Sequence, residues 1–140
     1  MPLIIYKSMD IKEMKLELRA ISLIDQINNK RQEEIKRNAE KLKQNEPLTL
    51  GEQVLLDLKN KYYNHCINRD TAYKKSLLEL LDLSASEQDK DLLYRKYVSG
   101  QELFDIAEDL FYSFGHTERL ILAAEKRLLE RINQKEKGNK

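Results

Sequence analysis

The sequence predicts an all-α fold, and three features of its 140 residues support this prediction. Apolar residues recur at spacings of three and four, which is the period of one face of an α-helix. The chain has only four glycines and two prolines, so it has few of the turn residues that many short strands would require. Two Ser/Thr-x-x-Glu patterns mark helix starts, and with the other turn residues they divide the chain into five predicted helices.

The first predicted helix covers residues 9–44, and a single apolar stripe follows its length. It ends before Pro47, because proline disfavours helical geometry in the residue that precedes it. Arg31 lies at a position where the stripe would otherwise be apolar. The apolar members of the stripe are Ile11, Met14, Leu18, Ile21, Ile24, Ile27, Ile35, Ala39 and Leu42.

The second predicted helix covers residues 50–83. Thr49 and Glu52 have the spacing of a capping box, in which the two side chains bond the free backbone N–H groups at a helix start. The segment 68–71 is expected to break or bend this helix. Its apolar side consists of Leu55, Leu58, Tyr62, Cys66, Tyr73, Leu77 and Leu80.

Residues 1–83 therefore form one predicted domain, a hairpin of two long antiparallel helices joined by a short loop. A hairpin of this kind buries little apolar surface by itself. We therefore expect the region to self-associate, and the simplest product is a homodimer with a coiled-coil-like interface.

Residues 84–140 form the second predicted domain, which contains three shorter helices. Ser84 and Glu87 have capping-box spacing, which places the third helix at residues 87–98. Gly100 ends this helix, since glycine adopts the left-handed conformation of a helix C-terminus without strain. The apolar members of the third helix are Leu92, Leu93, Tyr94 and Tyr97.

The fourth predicted helix covers residues 101–110, and the fifth covers residues 114–133. A three-residue turn separates them, and Ser113 at the end of the turn is a favoured N-cap. The tail, residues 134–140, is expected to fray. The buried positions of these two helices are Leu103, Ile106, Ala107, Leu110, Thr117, Ile121, Ala124, Leu128 and Ile132.

Three helices with a three-residue turn before the last have the arrangement of a helix-turn-helix DNA-binding domain. In that arrangement the last helix enters the major groove with its N-terminal residues foremost. Arg119 can donate two hydrogen bonds to a guanine edge, whereas the cations further along the helix would meet phosphates. The candidate DNA-binding residues are Ser113, Gly115, His116, Arg119, Leu120, Ala123, Lys126, Arg127 and Arg131.

Charge changes sign within this domain, although the whole chain carries a net charge of only +1. Residues 87–110 hold seven acidic and three basic side chains, whereas residues 116–140 hold seven basic and four acidic ones. The basic excess lies where phosphate contacts are expected. The acidic residues of the fourth helix form either a solvated face or a surface for a basic partner. Phe104 and Phe111 fall outside its buried face, and they are either peripheral core or a partner contact.

The C-terminal residues also resemble a known family. The run LYRKYVSGQELFDIAEDL at residues 93–110, followed by YSFGHTERL at residues 112–120, is similar to sigma-factor region 4, and more closely to phage late-gene transcription regulators of the ArpU and RinA type. The resemblance covers about the last 45 residues. It implies an activator of late phage genes that binds double-stranded promoter DNA and acts with host RNA polymerase. The chain departs from the family pattern at Phe111, where glycine is common, and at Glu118 and Glu125, because the recognition helix is usually more basic.

Two other functions stay open at this point. A small terminase-like subunit that recognises DNA for packaging would also combine a helix-turn-helix with a helical hairpin, although such proteins usually have the DNA-binding part first. A protein-interaction module would use the sigma-like domain to bind polymerase or another regulator without touching DNA.

No pattern in the sequence indicates an enzyme, a metal site or a cofactor. It has no phosphate-binding glycine loop, no histidine pair at helical spacing and no nucleophile elbow. His65 and Cys66 lack further ligands at metal spacing. No apolar run reaches the roughly 18 residues of a membrane span, and a single cysteine cannot form an internal disulfide. We therefore expect a cytoplasmic protein that has no contact with membranes, and the resemblance implies that the cytoplasm is that of a bacterial host.

Overall fold

The structure is a computed structural model, and it describes residues 9–44 and 47–138 of the chain. These residues form five helices and contain no β-strand, which confirms the predicted all-α fold for this part of the chain. The third helix continues directly into a π-helical turn, Tyr94–Val98. The helices are α1 (Ile11–Lys43), α2 (Leu50–Leu81), α3 (Glu87–Leu93), α4 (Leu103–Leu110) and α5 (Phe114–Gly138).

The described residues divide into two compact units, and the division does not coincide with the predicted domain boundary at residues 83 and 84. The first unit contains residues 9–22 and 73–138, and the second contains residues 23–72. The two long helices therefore each contribute to both units. The predicted hairpin domain treated each long helix as a single block, because apolar residues keep helical spacing on both sides of Arg31 in α1 and on both sides of residues 68–71 in α2.

The core of the first unit combines the first turns of α1 and the last turns of α2 with the three C-terminal helices. The amide of Asn133 in α5 donates to the Met9 carbonyl at 3.3 Å, and its oxygen accepts from the Met9 N–H at 3.0 Å. These bonds connect two segments at opposite ends of the chain. The large apolar side chains that are fully or almost fully buried in this unit are Met14, Leu18, Ile21, Leu77, Leu80, Leu81, Leu92, Leu93, Ile106, Leu128 and Ile132.

Polar side chains form hydrogen bonds between α1 and α2 within the second unit. Arg31 Nη1 donates to an Asp70 carboxylate oxygen at 2.6 Å, and the Asn38 amide donates to that of Asn60 at 3.0 Å. Later residues of α1 thus contact earlier residues of α2, which is the order expected of antiparallel helices. The helix α2 runs unbroken through residues 68–71, so the predicted break there is wrong. Asp70 lies in this segment, and its bond to Arg31 accounts for one of the polar residues that suggested a break.

The Arg31–Asp70 pair makes the second unit sensitive to acid. Hydrogen bonding from Arg31, and then from Arg69, lowers the pKa of the Asp70 carboxyl below its usual value of 3.8. A carboxyl with a lowered pKa in the folded state stabilises the fold above its ordinary pKa, and this stabilisation is lost as pH falls through the lowered value. We expect the urea midpoint of the parent to fall more steeply than that of Asp70→Asn below about pH 4. If the urea midpoints of the two proteins fall equally as pH decreases, the Arg31–Asp70 pair does not stabilise the fold.

The helix ends agree with the sequence patterns in some places and differ in others. Thr49 and Glu52 form the predicted capping box, since the Thr49 hydroxyl accepts from the Glu52 N–H at 3.1 Å and the Glu52 carboxylate accepts from the Thr49 N–H at 3.3 Å. The predicted box at Ser84 is wrong. Ser86 caps α3 by accepting from the Asp89 N–H, and the Ser84 hydroxyl instead donates to a carbonyl at the end of α2.

Two further predictions concern the glycine before α4 and the end of α5. Gly100 has a φ of +70°, so it adopts the left-handed conformation predicted for it. The fifth helix begins at Phe114 as predicted but continues to Gly138, five residues beyond the predicted end at Asn133. Residues 134–138 therefore belong to α5. Residues 139 and 140 of the predicted tail lie outside the described residues.

Candidate nucleic-acid interface

The turn that joins α4 to α5 requires one residue in a left-handed conformation. Phe111 occupies this position with a φ of 59°, and it is the one non-glycine residue with a positive φ among those described. The Tyr112 N–H donates to the Ala107 carbonyl at 3.0 Å, and the Phe111 N–H donates to the Glu108 carbonyl at 3.2 Å. These bonds satisfy carbonyls at the end of α4 and reverse the chain within a few residues.

Ser113 fixes the start of α5. Its hydroxyl oxygen accepts from the His116 N–H at 3.1 Å, and its carbonyl accepts from both the N–H and the hydroxyl of Thr117, at 3.0 and 2.9 Å. Thr117 is completely buried. The His116 ring lies edge-on to the Tyr112 ring, with the centroids 4.9 Å apart. The first turn of α5 is thereby held with His116 on the surface.

A small apolar cluster holds α4 against α5. Leu92, Ile106 and Ile121 are its buried members, one each from α3, α4 and α5. Ala107 is also buried, and its small side chain suits a position where two helices approach closely. Partly buried apolar side chains complete the cluster, namely Leu103, Leu110 and Leu120. The positions predicted to be buried in α4 and α5 therefore do pack inward.

The structure brings four of the predicted DNA-binding residues onto one face of α5. His116, Arg119, Ala123 and Lys126 follow one another at spacings of three and four, and all but the half-buried Ala123 are exposed. A Cβ added at Gly115 would lie 3.8 Å from the Arg119 guanidinium, so Arg119 extends towards the start of the helix.

The other predicted residues differ in their exposure. Ser113, Gly115 and Arg131 are exposed, whereas Leu120 is half-buried and packs against the apolar cluster. Within the described residues, neither Arg119 nor Lys126 nor Arg131 makes an ion pair. Three cations of α5 are therefore available to an external anion.

Arg127 is a different case, because it binds a carboxylate of its own chain. Its Nε donates to one oxygen of Asp89 at 2.7 Å and its Nη2 donates to the other at 2.9 Å. This bond to Asp89 raises the pKa of the Arg127 guanidinium. The side chain of Asp89 is only 5% exposed, whereas that of Arg127 is 48% exposed. The sequence assigned Arg127 to a phosphate contact, but in the structure it connects α5 to the first turn of α3.

Two buried acidic residues were not identified as special from the sequence, namely Asp89 and Glu125. Glu125 is completely buried in the middle of α5. One of its oxygens accepts hydrogen bonds from the Tyr97 hydroxyl and from Lys96 Nζ, the latter at 3.3 Å. The Lys15 ammonium lies 3.9 Å from the other oxygen. Burial raises the pKa of the Tyr97 hydroxyl, and the hydrogen bond to Glu125 raises it further.

Phe111 combines a strained backbone with an almost fully exposed ring, which is 94% accessible. Glycine adopts a positive φ at no steric cost, and little packing is lost when an exposed ring is removed. We expect Phe111→Gly to raise the free energy of unfolding by about 1 kcal/mol. The control is Phe104→Gly at an exposed helical position, which is expected to lower it by roughly 0.5 kcal/mol. Urea denaturation of both variants tests whether their changes in the free energy of unfolding have opposite signs. A Phe111→Gly variant that is less stable than the parent would refute the prediction.

Comparisons of the chain with models of protein families, with curated protein sequences and with solved structures found no match. Within residues 9–44 and 47–138, no helix has the length and apolar character needed to cross a membrane. The same part of the chain contains no cluster of three or more His, Cys, Asp or Glu side chains that could hold a metal ion.

Proposed function

We propose that the protein is a DNA-binding transcription regulator that acts at a promoter, with α4, the turn and α5 serving as a helix-turn-helix. The observation that carries this proposal is the exposed face of α5, where His116, Arg119 and Lys126 lie at helical spacing without an ion pair among the described residues. Unpaired cations on one helix face can contact bases and phosphates together. The sequence resemblance extends the proposal to late phage genes and host RNA polymerase.

Selection from random double-stranded DNA tests this function directly. The full chain is expected to enrich one sequence, and its affinity is expected to fall as salt concentration rises, because phosphate contacts release counterions. The matched control is Arg119→Glu, which reverses the charge at the start of the exposed face and leaves the described ion pairs intact. Enrichment that survives this change would contradict the assignment of α5, and no enrichment with the parent chain would contradict DNA recognition.

Binding of a protein partner is a second candidate function, and the exposed side of α4 favours it. Phe104 is 64% exposed and Phe111 is 94% exposed, so neither is peripheral core. The exposed acids Asp105 and Glu108 accompany them. This acidic and aromatic side would suit a basic apolar protein surface, for example on host RNA polymerase, but would repel DNA phosphates. The absence of DNA enrichment would make this the leading candidate.

Apolar side chains exposed on α2 support the further proposal that the chain forms a homodimer. Leu50, Val54, Leu55, Leu58 and Tyr62 are each between 49% and 76% exposed, and they share one broad side of the helix. We expect Leu58→Lys to convert a dimer into a monomer in sedimentation equilibrium, because it places a charge in this apolar side. The control is Asn64→Lys, which adds the same charge at an exposed polar position. A monomeric parent would contradict the dimer, whereas a symmetric dimer predicts two half-sites separated by whole turns of DNA.

A further inference from the structure

The first unit contains a cavity of about 400 Å³ that none of the predicted DNA-binding residues lines. Residues of α1, the π-helical turn, α4 and α5 surround it. Its volume falls within the range of roughly 300–1,000 Å³ that is typical of small-molecule sites. Leu103, Ile106, Ile121 and Leu122 give it an apolar wall. Ile106 and Ile121 are buried members of the cluster that joins α4 to α5, so this wall is already formed in the free protein.

Two buried oxygen atoms belong to residues that line this cavity, and neither accepts a hydrogen bond within the described residues. The first is Oε1 of Glu125, for which the nearest cation, Lys15, lies at 3.9 Å, beyond hydrogen-bonding distance. The second is Oε1 of Gln101. The orientation of the Gln101 amide is fixed, because its nitrogen donates to Asp109 at 2.9 Å. Both oxygens are closed to a water-sized probe, so they contribute negative partial charge beside the cavity but no hydrogen-bonding position within it.

The charged residues around the cavity favour a cationic ligand. Glu102 and Glu118 are exposed and make no ion pair in the described part of the chain. In the same part of the chain Arg19 makes no ion pair, whereas Lys96 already contacts Glu125. Two free carboxylates therefore line the cavity together with a single free guanidinium. Glu102 precedes α4 without capping it through its side chain, so its carboxylate has no structural hydrogen bond to lose.

We propose that this cavity binds a small organic cation with an apolar body. The apolar body packs against the leucine and isoleucine wall. The cationic head is attracted by the exposed carboxylates of Glu102 and Glu118 and donates hydrogen bonds to them. This site is separate from the proposed DNA-binding face, and it does not depend on the proposed function.

The test compares three probes with similar skeletons and different charges, namely 2-phenylethylammonium, 2-phenylethanol and 3-phenylpropionate. Binding to the full chain is followed by amide chemical shifts in ¹H–¹⁵N spectra, with Ile106, Ile121 and Leu122 as reporters. A probe of this size is expected to bind with a dissociation constant on the order of 1 mM. The ammonium probe is expected to bind roughly tenfold more tightly than the carboxylate probe.

Two variants assign the preference to the proposed residues. The double variant Glu102→Gln/Glu118→Gln keeps the shape of both exposed side chains and is expected to abolish most of the tenfold preference. Glu108→Gln removes an exposed carboxylate of α4 that does not line the cavity, and it is expected to retain the preference. The proposal is overturned if the carboxylate probe binds as tightly as the ammonium probe, if no probe shifts the three reporters, or if the double variant retains the preference.

Discussion

Replacing Arg127 with alanine is expected to lower the free energy of unfolding by about 2–3 kcal/mol, because it leaves the Asp89 carboxylate buried without a cation. The Asp89 side chain is 5% exposed, and both of its oxygens accept hydrogen bonds from Arg127. The loss in free energy of unfolding would be larger if Arg127 were buried as completely as Asp89. Here Arg127 is half exposed, and Asp89 lies in the first turn of α3, where the partial positive charge of the helix end stabilises a carboxylate.

Neighbouring cations on α5 provide the controls for this prediction. Lys126→Ala and Arg131→Ala remove exposed charges that make no ion pair within the described residues, and each is expected to change stability by less than about 0.5 kcal/mol. Adding Asp89→Asn to Arg127→Ala should recover part of the loss, since a neutral amide is less costly than a carboxylate to leave buried without its cation. Urea denaturation measures all four variants. A loss for Arg127→Ala no larger than for the controls would show that the pair does not stabilise the fold.

The helices themselves follow from local patterns that the sequence displays. The period of three and four, the capping box at Thr49 and the glycine at position 100 depend on residues that are close in the chain, so they could be read from it. The π-helical turn could not, because no residue in Tyr94–Val98 is specific to that geometry. In this turn the Ser99 N–H donates to the Tyr94 carbonyl at 2.9 Å, and the same turn places Tyr97 and Lys96 against Glu125. That arrangement depends on a partner far away in the sequence.

The units were harder to predict than the helices for a related reason. An apolar stripe shows which side of a helix is buried, but it does not identify the partner. In α1 the stripe is deeply buried at Met14, Leu18 and Ile21, whereas Ile27 and Leu42 further along the same stripe are exposed. Apolar residues at one helical spacing therefore belong to two units with different degrees of burial.

The candidate site shows the corresponding limit for charged residues. The sequence placed seven basic residues in the C-terminal segment, but their number does not indicate which of them are already paired. Arg127 was grouped with Lys126 and Arg131, although of these three only Arg127 pairs with a buried carboxylate of another helix among the residues that the structure describes. A signal for Glu125 was present, because it lies four residues after Ile121 and three before Leu128 on the apolar side of α5. An acidic residue at such a position indicates a buried ion pair or a site.

Arg119 and Lys126 are expected to affect DNA binding in different ways if α5 reads the major groove. Arg119 lies near the start of the helix, where side chains reach base edges. Arg119→Ala is expected to cost roughly 1–3 kcal/mol on the selected sequence and to reduce discrimination between sequences. Lys126 lies about two turns further along, at the level of the phosphates. Lys126→Ala is expected to weaken binding to all sequences about equally and to reduce the salt dependence by about one phosphate contact.

Binding of both variants to the selected sequence and to a scrambled version, at several salt concentrations, separates these two effects. Both side chains are exposed and unpaired within the described residues, so neither change should disturb the fold, and circular dichroism checks this. The quantity that separates the two effects is the ratio of a protein's affinity for the selected sequence to its affinity for the scrambled sequence. It should fall for Arg119→Ala and stay constant for Lys126→Ala, because a base contact distinguishes sequences and a phosphate contact does not. If both variants keep the affinity, the ratio and the salt dependence of the parent, α5 does not contact DNA through this face.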